Sequence, residues 1–280
     1  MSTYQTVYGR GIAFLTEASV PDAKTDAWYL LSHVTGLQRA VYLMKAQEEM
    51  PEEEVQQYER LIEKRAGRIP LQYITGVQEF MGFEFAVSAS TLIPRQDTEV
   101  LVEEVVKYAG GKRILDLCTG TGCIIISLKK LCNLSYAAGS DLLPLAVATA
   151  KKNAEKLDAN VDFYCGDLFE AIPTGERFDI IVSNPPYIPS EVITTLMPEV
   201  REHEPVTALD GDTDGLKFYR SIICQAGQYL EKNGRIFFEI GSEQAADVSK
   251  LLLEAGFEEI CVKKDYAGLD RVVSAVWSQE

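Results

Sequence analysis

The segment Ser183–Ser190, SNPPYIPS, places an Asn, two prolines and a Tyr directly after the apolar run FDIIV. Prolines have no N–H to donate, hold φ at about −65° and push the preceding residue out of the helical region. Asn184 is therefore expected to be extended where a strand ends. A carboxamide at such a rigid corner can present its carbonyl oxygen to a ligand, although a plain turn would also explain the pattern.

Three further groups follow apolar runs that are typical of strands: Thr119-Gly120-Thr121-Gly122 after RILDLC, Asp141 after YAAGS and Asp167 after VDFYCG. In open parallel sheets, ligands bind beyond the carboxyl ends of the strands. Glycines let the backbone approach a ligand, and the start of the following helix offers N–H groups. A lone Gly-x-Gly is also explained by a tight turn, so the spacing of the other groups matters.

The spacing favours a ligand that contains adenosine. Asp141 stands about 20 positions after Gly120, where an acid accepts ribose hydroxyls in dinucleotide-binding folds, although helix-capping acids also occur there. Asp167 is placed to meet an adenine amino group. A dinucleotide fingerprint requires a third glycine where this chain has Ile125, and no G-x-x-x-x-G-K-[ST] is present. S-adenosylmethionine, which has a ribose and an adenine but no phosphate, remains.

The motifs DLCTGTG, GSD and FDIIVSNPPYI, in this order, resemble class I S-adenosylmethionine-dependent methyltransferases that methylate planar nitrogens. The segments PLQYITGVQEFMGFEFAVSASTLIPRQDTEVLVE, EP followed by ALDGDTDGLKFYR, FFEIG and DYAGLDRVV extend the resemblance to the peptide chain release factor glutamine N5-methyltransferase family (HemK/PrmC-like). The resemblance covers essentially the whole chain. It implies methyl transfer to the Gly-Gly-Gln glutamine amide of bacterial class I peptide chain release factors, with S-adenosylhomocysteine as the product.

The predicted catalytic residues are Asn184, Pro185, Pro186 and Tyr187. The Asn184 side-chain carbonyl and the Pro185 main-chain carbonyl can accept both N–H groups of the substrate amide, while Tyr187 can stack on it. The predicted cofactor-binding residues, partly from the residues and partly from the resemblance, are Leu92, Arg95, Cys118, Thr119, Gly120, Thr121, Gly122, Asp141, Asp167, Leu168 and Asn184. We see no obvious general base.

Three positions depart from the family pattern. Cys118 stands where many relatives have Gly, which suggests that the loop needs less conformational freedom there. Gln96 replaces a usual Pro, and Asp212 replaces a Gly in the loop after Glu204-Pro205. The last two affect the expected detail of the substrate-side loops and leave the reaction unchanged.

The elements that must position these residues change in type along the chain. Helical patterns extend to about residue 69, and a β-hairpin bending at Met81-Gly82 follows. A helix capped by Asp97 then leads into alternating strands and helices, which predict right-handed βαβ crossovers. We therefore predict an α/β, Rossmann-like class I methyltransferase fold with a mostly parallel seven-stranded sheet and an antiparallel last strand. The predicted domains are a helical substrate-recognition domain (1–72), a hairpin connector (73–94) and a methyltransferase domain (95–280).

Composition narrows the class of protein. The chain has 27 Lys and Arg against 42 Asp and Glu, a net charge of −15, which disfavours a row of phosphates as partner. Six scattered cysteines without a C-x-x-C pair, and two histidines, predict neither a metal site nor a disulfide framework. No apolar stretch approaches the roughly 18 residues of a membrane span. We expect a cytoplasmic monomer that contacts neither membrane nor nucleic acid directly.

Two alternatives remain open at this point. An adenine-N6 or guanine-N2 methyltransferase acting on DNA or RNA would use NPPY by the same two-acceptor logic. A catalytically silent module that holds a protein partner is the non-enzyme alternative. The net charge and the absence of a basic, aromatic-interleaved segment disfavour the first, and the intact Gly loop, Asp141 and NPPY disfavour the second.

Overall fold

The computed structural model describes residues 2–279. Its helices are Tyr4–Glu17 (α1), Ala23–Thr35 (α2), Arg39–Lys45 (α3), Glu52–Ala66 (α4), Leu71–Thr75 (α5), Gln96–Val106 (α6), Cys123–Leu131 (α7), Pro144–Lys156 (α8), Ser190–Ile193 (α9), Pro198–Arg201 (α10), Lys217–Ala226 (α11) and Ala245–Glu254 (α12). Its strands are Val77–Phe80 (β1), Phe83–Ala86 (β2), Arg113–Leu117 (β3), Tyr136–Asp141 (β4), Asp162–Cys165 (β5), Phe178–Ser183 (β6), Leu230–Glu239 (β7), Phe257–Lys264 (β8) and Asp270–Trp277 (β9).

The chain forms two compact units. The smaller one comprises the chain up to Gly76 together with Met197–His203, and the larger one comprises Val77–Leu196 and Glu204–Glu280. The segment Met197–His203, which includes α10, thus leaves the larger unit along the chain and returns to it. This segment is close to the SNPPY corner in sequence, but it packs with the N-terminal helices.

The smaller unit is helical, as predicted. Helix α4 starts directly after Pro51, has three glutamates in its first turn and has Lys64 and Arg65 in its last, an arrangement that the helix dipole favours. Its inward side chains, including Tyr58, pack with those of α1 and α2 such as Leu15 and Leu30. Burial of these apolar faces holds the helices together, since isolated helices of this length are marginal in water.

A buried ion cluster attaches α10 to this helical unit. The Glu199 carboxylate accepts hydrogen bonds from Arg65 Nη2 at 2.8 Å and Arg68 Nη2 at 2.6 Å, and Arg65 Nε donates to Asp26 Oδ2 at 2.7 Å. Burial alone would raise the pKa of Glu199, but the two guanidinium groups outweigh it and lower that pKa to about 2. The carboxylate is therefore ionised at neutral pH.

The larger unit contains the predicted sheet. The strand order is β5-β4-β3-β6-β7-β9-β8, and the first five strands in this order run parallel to one another. Strand β9 is antiparallel to both β7 and β8. The mostly parallel seven-stranded sheet with an antiparallel last strand is thus confirmed. The hairpin β1-β2, which turns at Met81-Gly82, forms a separate two-stranded sheet as expected.

Both faces of the seven-stranded sheet are buried. Along β3, Ile114 belongs to one hydrophobic cluster and Leu115 to the other, and Ile180 and Ile181 alternate in the same way along β6. Helices α6, α7 and α8 contribute to the first cluster, and α11 and α12 contribute to the second. Continuous apolar runs such as RILDL are typical of parallel strands that are covered on both faces.

The start of α6 differs from the prediction. The residue before its first turn is Arg95, whereas Asp97 lies inside that turn. The expected Asp97 cap is therefore wrong, because the extended chain from Pro94 enters the helix two residues earlier. Asp97 still lies where the helix dipole favours negative charge, and its Oδ2 lies 3.2 Å from Arg271 Nη2. Gln96 occupies the first helical position, which a proline would also fit.

Candidate functional site

A pocket in the larger unit brings together most of the predicted site residues. It lies at the carboxyl ends of β3, β4 and β6, and the predicted residues among its lining are Leu92, Arg95, Cys118, Thr119, Gly120, Thr121, Asp141, Asp167, Leu168, Asn184 and Pro186. Gly122, Pro185 and Tyr187 are not among the lining residues. One pocket therefore joins the Gly-rich loop, both acids and the Asn.

The Gly-rich loop is tied to the end of β4 through Asp141. The Gly120 N–H donates to Asp141 Oδ2 at 2.8 Å, and the Leu143 N–H donates to Oδ1 at 3.0 Å. Burial raises the pKa of Asp141, and the two backbone donors offset part of that rise. Gly122 has φ +78°, and a Cβ there would lie 2.8 Å from Ile126 Cδ1, so glycine is favoured at the turn into α7.

The expectation that the loop needs less freedom at Cys118 is wrong. Cys118 has φ +60° and Asp212 has φ +72°, both in the left-handed region that favours glycine. Both positions therefore have the backbone conformation that the glycines of the family pattern would favour. At Cys118 the surrounding packing holds the strained residue in place, as the neighbouring Thr119 N–H donates to Ser140 O at 2.9 Å. Burial raises the pKa of the Cys118 thiol well above its usual value, so it is no nucleophile.

The SNPPY corner is fixed from several sides. Ser183 Oγ donates to Leu117 O at 2.7 Å, which ties the end of β6 to β3. Asn184 Nδ2 donates to Thr98 Oγ1 at 3.3 Å. Since the amide nitrogen faces Thr98, the carbonyl oxygen Oδ1 is directed away from α6 and remains available as an acceptor in the pocket.

Tyr187 is held by its main chain and by its hydroxyl. Gln244 Nε2 donates to Tyr187 O at 3.0 Å, and a Cβ at Gly215 would lie 2.3 Å from that same oxygen. The GDTDG loop therefore needs Gly215 to approach the corner. The Tyr187 hydroxyl donates to Glu239 Oε1 at 3.2 Å, and its ring packs against the hydrophobic cluster formed with α11 and α12.

Sequence reasoning assigned no role to three residues at this site. Thr98 lines the pocket and contacts Asn184, Glu239 contacts Tyr187, and Glu204 forms an ion pair with Arg95. Their motifs, DTEV, FFEIG and EP, were part of the family resemblance. A signal for Glu239 was available, because a carboxylate at the end of an otherwise apolar buried strand is unusual.

The charges of the pocket suit a cation better than a phosphate. The ionisable side chains among its lining residues in the described chain are Arg95, Asp141 and Asp167, apart from the thiols. The Arg95 guanidinium is paired with Glu204. Two carboxylates and no free cation would repel a phosphate, whereas they favour ribose hydroxyls, an amino group and a sulfonium. S-adenosylmethionine fits this donor set.

Residues 2–279 also indicate which other kinds of site the described chain lacks. Those residues include no group of three or more His, Cys, Asp or Glu side chains placed to hold a metal ion. In the same part of the chain, every helix is too short or too polar to cross a membrane.

Two sequence families match different parts of the chain. The family described as "PrmC N-terminal domain" matches residues 7–76, and the family described as "Methyltransferase small domain" matches residues 94–199. The first range is almost the same as the N-terminal part of the smaller unit. The second contains the Gly-rich loop, Asp141, Asp167 and the SNPPY corner.

Curated relatives match nearly the whole chain. Proteins named "Release factor glutamine methyltransferase" from Geobacter sulfurreducens and Agrobacterium fabrum are each 43% identical to it, over 93% of this chain and 92% of theirs. The protein of that name from Bacillus subtilis is 39% identical over 94% of both chains. Among solved structures, a methyltransferase from Pyrococcus furiosus has a TM-score of 0.54 and 15% identity, covering 71% of this chain and 90% of that one, which supports the fold alone.

Proposed function

This chain belongs to the release factor glutamine methyltransferase family, and from that premise we propose the substrate and the residue roles of its pocket. It is an S-adenosylmethionine-dependent protein-glutamine methyltransferase. The proposed target is the side-chain amide nitrogen of the Gly-Gly-Gln glutamine in bacterial class I release factors. The observation that carries the proposal is the pocket itself, which Asn184, Asp141 and the Gly-rich loop line together.

Bound S-adenosylmethionine supplies a methyl group on a positively charged sulfur. Asp141 would accept the ribose hydroxyls, and Asp167 would accept from the adenine amino group. Leu92 and Leu168 would pack against the adenosine, with Thr119, Gly120 and Thr121 leaving room for it. A Cβ at Gly120 would meet no atom within 4 Å, so space is open at this point of the loop. These assignments agree with the anionic lining of the pocket.

The substrate amide is oriented by two acceptors. Its NH2 group has two N–H donors, which Asn184 Oδ1 and the Pro185 main-chain carbonyl would accept. The nitrogen lone pair is then directed at the methyl carbon. An amide nitrogen is a poor nucleophile because its lone pair is delocalised, so positioning must supply much of the acceleration. Pro185 and Pro186 keep the acceptors rigid before the substrate arrives.

During transfer, the nitrogen–carbon bond forms as the carbon–sulfur bond breaks. The products are neutral S-adenosylhomocysteine and a cationic N-methyl amide, which loses one proton to water. Such a protonated amide is strongly acidic, so no dedicated base is needed. The side chains of the site therefore act by orienting the substrate amide toward the methyl group.

The proposed partner is a class I release factor, and the helical unit is proposed as its recognition surface. Residues 7–76 match a domain family that is named separately from the methyltransferase domain, which supports a distinct role. We also infer a monomer acting in the cytoplasm. All lining residues of the pocket come from the larger unit of a single chain, and release factors act at ribosomes.

Methylation of adenine-N6 or guanine-N2 is not favoured. The relatives that cover more than nine-tenths of this chain carry the release factor name. The net charge of −15 also opposes a nucleic-acid duplex near the site.

The first prediction tests the reaction. We expect the purified protein, incubated with S-adenosylmethionine, to add one methyl group to the Gly-Gly-Gln glutamine of a class I release factor and none to duplex DNA. Peptide-level mass spectrometry locates the added mass. The Asn184→Ala variant should lose transfer, because one of the two acceptors is removed, while S-adenosylmethionine still binds in a calorimetric titration.

Glu104→Gln is a suitable control for this experiment. Glu104 is ion-paired with Lys107 and takes no part in the pocket, so this variant should methylate like the wild-type protein. Methylated adenine beside an unmodified release factor would refute the substrate. Near wild-type turnover by Asn184→Ala would refute the role of Asn184.

A further inference from the structure

Glu239 is a buried carboxylate directly behind the SNPPY corner. It ends β7 and is 1% exposed. Its Oε1 accepts from the Tyr187 hydroxyl at 3.2 Å, and its main-chain oxygen accepts from the Tyr219 hydroxyl at 2.8 Å. Its Oε2 is buried and has no hydrogen bond of standard geometry in the described chain. Keeping an ionisable group here is costly, which calls for a role.

Thr98 connects this carboxylate to Asn184. Thr98 is 2% exposed, and its Oγ1 accepts the Asn184 Nδ2–H at 3.3 Å. A hydroxyl that accepts in this way still has its own hydrogen to donate. The Glu239 carboxylate is an acceptor within reach of Thr98, since an interaction with the Thr98 side chain favours the ionised form of Glu239 and lowers its pKa.

We propose that Glu239 is a positioning residue for methyl transfer, which sets the orientation of the Asn184 carboxamide through Thr98. This inference rests on the proposed role of Asn184. The donor order runs from the Asn184 N–H to the Thr98 hydroxyl and from there to the Glu239 carboxylate. Glu239 itself is not among the residues that line the pocket, so its proposed action is through Thr98.

The Glu239 carboxylate fixes which group donates in each of these hydrogen bonds. An ionised carboxylate can only accept, so the Thr98 hydroxyl must donate to it and must accept from Asn184. A neutral partner in its place can donate to Thr98. Thr98 could then donate to Asn184 Oδ1, and the amide would turn its NH2 group toward the pocket. The substrate NH2 would meet a donor instead of an acceptor.

The surroundings of Glu239 make this order sensitive to pH. Burial raises the pKa of Glu239 to about 7, although Thr98, Arg271 and Tyr187 oppose the rise. Asp97 adds to the rise in the pKa of Glu239, and Tyr219 and Cys123 also interact with Glu239. Because the raised pKa belongs to an acid, the ionised form that fixes the order gains population as pH rises through about 7.

The second prediction concerns kinetics. Glu239→Gln and Thr98→Val should each lower kcat for the release factor about tenfold or more, because a buried donor or acceptor is mispaired. KM for the release factor and the Kd for S-adenosylmethionine should stay within about twofold of wild type, as an orientation effect requires. Thr98→Ser keeps the hydroxyl and should restore kcat. Wild-type kcat should rise with a midpoint near pH 7, and the Glu239→Gln profile should be flat there.

An NMR measurement that does not depend on turnover distinguishes this inference from the proposed function. The Asn184 side-chain NH2 signal, identified by its loss in Asn184→Ala, should shift with pH in the ¹⁵N spectrum of the wild type and stay constant in Glu239→Gln. If this signal titrates while no release factor is methylated, the proposed function is wrong and the hydrogen-bond order holds. Wild-type kcat in Glu239→Gln, or an Asn184 signal insensitive to both pH and Glu239→Gln, would overturn the inference.

Discussion

At the scale of single residues, polar groups of the pocket already form hydrogen bonds within the protein before a ligand binds. Both oxygens of Asp141 accept backbone N–H groups, from Gly120 and from Leu143. Each carboxylate oxygen has a second lone pair, so ribose hydroxyls can still be accepted. The loop and the acid are therefore positioned together, and a change at Asp141 alters both.

The third prediction follows from this double acceptance. In Asp141→Asn, the NH2 of the new side chain must face one of the two backbone N–H groups, which leaves a donor against a donor. We expect the Kd for S-adenosylmethionine to rise about tenfold or more, measured by isothermal titration calorimetry. Asp158→Asn is the matched control, since Asp158 lies outside the pocket at φ +50°, a conformation that Asn tolerates well. Equal affinity of both variants for S-adenosylmethionine would show that Asp141 does not bind the cofactor.

At the scale of elements, the short helix α10 belongs to the helical unit although it lies between β6 and β7 in the chain. Glu199 is 9% exposed and shares its carboxylate between Arg65 and Arg68. Such a pair need not stabilise the fold more than apolar residues would. Removing one partner, however, leaves buried charges without compensation, which is strongly destabilising.

The fourth prediction is a stability effect of Glu199→Gln. We expect the free energy of unfolding at pH 7 to fall by about 2–3 kcal/mol, because Arg68 loses the carboxylate that it pairs with and Arg65 keeps only Asp26. The pKa of Glu199 is lowered from 4.5 to about 2 by folding, so its contribution is complete above about pH 4.5 and is lost as pH falls toward 2. The difference between variant and wild type should therefore shrink in acid.

Urea unfolding followed by fluorescence measures this effect in the helical unit. The chain has two tryptophans, Trp28 and Trp277, so a Trp277→Phe background leaves Trp28 as reporter of the smaller unit. Glu59→Gln serves as control, because Glu59 and its partner Arg10 are about half exposed and such surface pairs contribute little. An equal loss in both variants would show that the buried cluster has no special role.

At the scale of the whole molecule, net charge selects the partner class. A chain with 42 acidic and 27 basic side chains repels phosphates over distances of about 10 Å at moderate salt. An acidic enzyme of this kind still accepts a protein substrate, since protein interfaces depend on shape and on local complementarity. The charge therefore affects partner choice more than catalysis.

The fifth prediction is weak binding to nucleic acid. At about 0.15 M salt we expect the Kd for duplex DNA to be weaker than about 10⁻⁴ M, the weak end of non-specific affinities. Fluorescence anisotropy with a labelled duplex, repeated at lower salt, measures this. Tighter binding with a steep salt dependence would reveal a basic face, and the nucleic-acid alternative would then need a direct methylation assay.

Much of the fold and of the pocket could be predicted from local sequence. Apolar runs followed by Gly, Asp or Asn identified the strands and the groups at their carboxyl ends, because a parallel sheet brings those ends to one edge. Asp141, Asp167 and Asn184 indeed line one pocket. The family resemblance added Leu92 and Arg95, which no local pattern singled out. The sequence also predicted that strands and helices alternate along the larger unit, which the order of the elements confirms.

Only the tertiary structure decided the contacts between residues far apart in the chain. Thr98 and Asn184 are separated by 86 positions, and Tyr187 and Glu239 by 52, so their pairing depends on how α6, β6 and β7 pack. The same is true of Glu199, which meets an Arg68 that lies 131 positions earlier. Cys118 keeps a left-handed backbone because its surroundings impose it. Local patterns fix which groups a strand presents, whereas packing fixes which partners orient those groups.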